Sequence, residues 1–145
     1  MTNTNSATTD SQSLIMKMDA RSVQRLHRIL QHEDIGIQKG PNTGLVMMAV
    51  KDSFGVDFYL GEILVTETTV VYRGLEGYAM VMGDEPDRSL IAASVDVVLR
   101  GGSEIIKKKI RRIISSQVKQ ITDNENRERT LFMQTKVNFE TMVKG

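Results

Sequence analysis

Phe58–Leu99, FYLGEILVTETTVVYRGLEGYAMVMGDEPDRSLIAASVDVVL, reads as two paired strands running straight into a helix, and the rest of the chain flanks it. Ile63 to Tyr72 is dense in Val, Ile and Thr, whose branched β-carbons suit a pleated surface. Arg73 to Gly77 supplies glycines for a turn, and Tyr78 to Met82 forms the return strand. After Gly83, the run Asp84, Glu85, Pro86, Asp87 sets acids and a proline at a helix entrance. Free backbone N–H groups and the helix dipole favour negative charge there, and proline forfeits no hydrogen bond. A helix beginning near Pro86 follows, with Leu90, Ile91, Val95, Val98 and Leu99 on one side and Gly101 and Gly102 ending it.

Upstream, Leu14 to Gln31 places Met18, Val23, Leu26, Ile29 and Leu30 at approximately helical spacing, with Asp19 positioned as the cap. His27 and His32 are five apart and fall on different faces, which does not suit a shared metal. Gly36, Gly40, Pro41, Asn42 and Gly44 predict a loop. Leu45 to Val50 is apolar at every position, as in a strand buried on both faces or covered by a partner on one. Lys51 to Gly55 makes a turn, and Gly61 permits a bend or bulge before the long strand.

Downstream, Ser103 caps a helix in which Ile105, Ile106, Ile110, Ile113, Ile114, Val118 and Ile121 recur at threes and fours. Lys107, Lys108, Lys109, Arg111 and Arg112 fill the opposite face. Asp123 to Arg129 is a charged stretch expected to precede a last helix through about Asn138, and Phe139, Met142 and Val143 form an apolar tail. Together these elements predict an α+β fold, an antiparallel sheet of three to four strands with helices packed on one face. Residues 1–12 are expected to be a disordered leader, and 13–145 one domain with a C-terminal docking tail.

The composition narrows the chemistry. Nineteen basic and 18 acidic residues leave a net charge of +1, no global reason to seek nucleic acid or an anionic membrane. The chain has no cysteine, which excludes disulfides, thiolate metal sites and cysteine nucleophiles and fits a cytoplasmic setting. No signal peptide or membrane span is legible. Glu62, beside Gly61 at a strand bend, is the best placed carboxylate for general acid–base work, yet no histidine accompanies it in this stretch. No glycine cluster matches a phosphate-binding loop. Asp96, an acid among Ala93, Val95, Val97 and Val98, reads as a salt-bridge partner or a contact residue. The nine methionines include Met47, Met48, Met80 and Met82 on neighbouring strands, suited to gap filling or an adaptable interface.

The ordered set F-x-x-G-E-x-x-V-T from Phe58, G-Y-x-x-x-x-G from Gly77 to Gly83, Asp96 thirteen residues beyond, T-G-L-V-M at Thr43 to Met47 and V-x-F-x-T-M-V-K-G at Val137 to Gly145 resembles PhnG, the small G subunit of bacterial carbon–phosphorus lyase. The resemblance runs from about Thr43 to the C-terminus. It implies a non-catalytic or accessory subunit of the synthase, a transferase inactive as this chain alone, supporting transfer of a phosphonate such as methylphosphonate to the ribose C1 of ATP, with release of adenine. It further implies I, H, J and L type partner subunits, with the main catalytic role in the I subunit. ATP and phosphonate are then substrates of the complex, and no cofactor, metal, nucleic acid or membrane is expected on this chain. Asp84 and Glu85 stand where the family has an Arg-Asp pair. Phe139, Met142, Val143, Met47 and Met48 are the expected partner contacts. The alternative reading is a stand-alone regulatory or nucleic-acid-binding module using the basic helix 105–121.

Overall fold

The computed structural model describes residues 12–143, with side chains through Leu131. Helical turn α1 covers residues 12–17, followed by α2 (Ala20–Leu30), β1 (Gly36–Lys51), β2 (Asp57–Tyr72), β3 (Leu75–Met82), α3 (Pro86–Gly101) and α4 (Glu104–Val143). The strands form one antiparallel sheet in the order β1-β2-β3, and the helices lie on one of its faces, an α+β architecture.

The β2–β3 connection is a two-residue turn in which Arg73 (φ 49°) and Gly74 (φ 78°) both take positive φ, the geometry that matches strand twist. Opposite-facing residues then alternate. Thr68 Oγ1 meets Ser89 Oγ of α3 at 2.6 Å, and a Cβ on Gly77 would stand 2.6 Å from the Ala93 carbonyl oxygen, so these residues define the helix-facing side. At Gly77 α3 lies so close to β3 that no side chain fits between them. Thr66 on the same side accepts from the Glu85 backbone N–H at 3.0 Å and donates to the Gly83 carbonyl at 2.6 Å, tying the helix entrance to the middle of β2.

Helix α3 starts at Pro86 as expected, but it is not one-sided. Ser89, Ile91 to Val95, Val97 and Val98 are all buried, because the sheet covers one flank and α2 and α4 cover the other. Small residues make this possible, and the buried hydroxyl of Ser94 is satisfied by the Leu90 carbonyl. Asp19 caps α2 by accepting from Ser22 N at 2.7 Å. Gln12, assigned to the leader by its sequence, is helical, while residues 1–11 lie outside the description. Arg88 of α3 donates to the Ile15 and Met16 carbonyls, a cation at the end of α1 where such charge is favoured. Tyr72, buried at the far end of β2, donates to Glu33 Oε2 at 2.6 Å, and burial with that carboxylate pushes its phenol pKa up.

Three expectations are corrected. Gly36 to Gly44 is strand, not loop: β1 absorbs its glycines and Pro41 in irregularities between Ile37 and Asn42, and an edge strand tolerates a missing N–H. Leu45 to Val50 is not buried on both faces within this chain; five of its six residues are exposed and only Val50 is half-buried. Asp123 to Arg129 does not separate two helices, since α4 continues through it to Val143. That stretch contains no Gly or Pro, and its Glu and Arg residues are good helix formers.

Candidate functional site

Beyond the reach of the helices, β1 and β2 continue as a two-stranded arm. Strand β3 pairs with β2 only from Val65 to Tyr72, and the remaining residues of β2, from Asp57 to Leu64, pair with β1 alone. Alternation sorts the arm's side chains into two faces. Leu45, Met47, Tyr59 and Leu64 continue the helix-facing side, whereas Val46, Met48, Val50, Phe58 and Ile63 continue the helix-free side. The register pairs Leu45 with Leu64, Val46 with Ile63, Ala49 with Tyr59 and Val50 with Phe58. Leu45 and Met47 are each 63% exposed, so the helix-facing side loses its cover at the arm. On the helix-free side Met80 and Met82 extend the apolar surface across β3. Tyr78 on that side donates to Glu67 Oε2 at 2.9 Å, and burial followed by this bond raises the Tyr78 pKa.

The arm's tip is built, not slack. The Asp52 carboxylate accepts from Phe54 N and Val56 N, both at 2.9 Å, while Gly55 takes positive φ (78°). The braced loop holds Phe54 out with 89% of its surface exposed. Phe54 is the most exposed large apolar side chain among the described residues, and sequence reading passed it over. Its signal was the D-S-F-G turn, in which aspartate and glycine are turn residues and phenylalanine is not.

The residues singled out by the sequence are distributed as follows. Met47 and Met48 both lie on the arm, on opposite faces. Phe139, Met142 and Val143 follow on α4, and their side chains lie outside the described residues. Glu62 is exposed on the arm, opposite Met47 in the register. Asp96 forms an i,i+4 ion pair with Arg100 at 3.1 Å. His27 and His32 open onto separate clefts. Among the described residues no three His, Asp or Glu side chains gather as metal ligands, and no helix is long and apolar enough to cross a membrane.

The basic residues do converge. Lys107 is half-buried against Glu104 at 3.5 Å, but Lys108, Lys109, Arg111 and Arg112 are exposed on α4. Arg28 of α2 and His32 just beyond its end, with Lys109, Ser103 and Glu33, line a cleft of about 400 Å³ walled by Ile29, Ile105 and Ile106. None of these three basic side chains has a carboxylate within ion-pair distance among the described residues.

A search of curated proteins finds no match. The family model described as "Phosphonate metabolism protein PhnG" matches residues 9–145, nearly the full length. A chain that this model matches over residues 9–145 belongs to the PhnG family, and its biological context is phosphonate metabolism.

Proposed function

We propose that this chain is an accessory subunit of a carbon–phosphorus lyase complex, and that its contribution is structural. The observation that carries this reading is the two-faced apolar arm. Burying one such side chain is worth about 1.5–3 kcal/mol, so leaving a row of them in water on both faces is a large unrealised stabilisation. A partner subunit that encloses the arm recovers it. Family membership gives phosphonate metabolism as the context, and within it the partner proposed is another subunit of the complex, the I type first. Met47 and Met48 on the arm, with Phe139, Met142 and Val143 at the end of α4, are the proposed contacts. The complex then transfers methylphosphonate or a similar phosphonate to the ribose C1 of ATP and releases adenine, with the reacting groups supplied by another subunit.

Adenine release from ATP and methylphosphonate tests the division of labour. The chain alone should release none, and the co-expressed complex should do so. Adenine formed by the isolated chain and lost on Glu62→Ala would show that this subunit owns catalytic chemistry.

A further inference from the structure

The sheet has two outer edges, and the chain treats them differently. At β3 the edge is closed from within. Gln12 of α1 lays its carboxamide along it, Nε2 donating to the Tyr78 carbonyl at 3.3 Å and Oε1 accepting from Met80 N at 3.4 Å. One side chain thus reproduces the donor–acceptor pair that a neighbouring strand would offer. The Leu64 carbonyl, the next acceptor along β2, is taken by Gly83 N at 2.7 Å.

At β1 nothing does this. Among the described residues no group outside β2 hydrogen-bonds to the backbone of Gly36–Lys51. Every second residue of an edge strand points its N–H and C=O away from its neighbour, so β1 presents a free row of donors and acceptors. The row is regular where it matters. The irregularities of β1 itself all precede Asn42; the one farther out, between Met48 and Ala49, places its extra residue, Leu60, on β2. From Asn42 to Lys51 the outer edge of β1 is therefore an unbroken template, whereas the free part of β2 is bent at Leu60 and Gly61 (φ 136°).

Charge selects the occupant. Lys39 and Lys51 are the ionisable residues of β1, they bracket its uncharged run, and neither has a carboxylate within ion-pair distance among the described residues. A second copy of the chain would bring only more lysine to this edge, and lysine on an edge strand is a common guard against self-pairing. We infer that β1 receives an extended segment of a partner protein, an apolar strand flanked by acidic side chains, which pairs along Asn42–Lys51 and adds a fourth strand to the sheet. The inference rests on the subunit reading above and names how the subunit docks.

Residue-resolved amide hydrogen exchange decides it, on the chain alone and in the complex formed on co-expression with the I-type subunit. Strand addition protects the alternate amides between Asn42 and Lys51 that β2 leaves free, slowing them about a hundredfold or more in the complex. Lys39→Glu with Lys51→Glu should weaken assembly about tenfold or more, most strongly at low salt. If the complex forms and those amides still exchange freely, the arm docks by its faces and strand addition is wrong while the subunit reading stands. If the lone chain dimerises with the same protection, a second copy is the occupant and the proposal falls. If no complex forms, both readings fall together.

Discussion

Asp19 shows how one carboxylate fixes the start of a helix. Its Oδ1 accepts from Ser22 N, and that backbone hydrogen bond holds its pKa below the ordinary 3.8. A carboxyl whose folded pKa is depressed stabilises the fold in full above its unfolded value, and the contribution is lost as pH falls through the folded value. Asp19→Ala should therefore cost about 1 kcal/mol at neutral pH, by loss of the cap. Asp19→Asn retains a capping oxygen and should cost less, while flattening the stability curve below pH 3.8; urea titrations across that range measure both. The capping role was legible from Asp19 preceding an amphipathic run. Gln12 was not: its pairing with the β3 edge depends on α1 lying beside Met80, a contact 68 residues away in the chain.

At the scale of elements, the arm arises from a mismatch of lengths. A 16-residue helix at 1.5 Å per residue is roughly 24 Å long, while a 16-residue strand at 3.3 Å per residue runs roughly 53 Å. Helix α3 can cover only about half of β2, so the other half projects. Since Met47 and Met48 are exposed on opposite faces, Met47→Asp and Met48→Asp should each leave the unfolding free energy of the chain nearly unchanged, within about 0.5 kcal/mol. Each should nevertheless weaken assembly with the I-type subunit, measured by co-purification. If only one does, the partner covers a single face; a collapse in stability with either would mean that the arm packs against the chain's own body.

Over the whole molecule, charge is separated although the net charge is only +1. Arg21, Arg25 and Arg28 recur along α2 at steps of four and three, one exposed stripe, His32 lies exposed just beyond its end, and Lys108, Lys109, Arg111 and Arg112 are exposed on the neighbouring α4. Such a surface attracts any polyanion, but no Phe, Tyr or Trp lies within residues 21–32 or 108–112 to stack a base. Reversing Lys108, Lys109, Arg111 and Arg112 to Glu should leave arm-mediated assembly intact. Duplex DNA should bind the unaltered chain weakly and let go between about 50 and 200 mM salt, the mark of phosphate attraction alone. Loss of assembly on reversal would place an acidic partner on this face, and sequence-selective DNA binding would favour the regulatory alternative.

By itself the sequence determined what is local: the β2–β3 hairpin, the helix entrance at Pro86, the Asp19 cap and the basic face of α4 each follow from residues within a few positions of one another. The ordered motifs also carried the family. The tertiary structure alone decided coverage. An apolar run such as Leu45 to Val50 has the same pattern whether it lies inside a sheet or projects into water, because periodicity records which residues share a face and not what packs on it. Coverage depends on how far the helices extend along the strands, and that is set when the elements pack together.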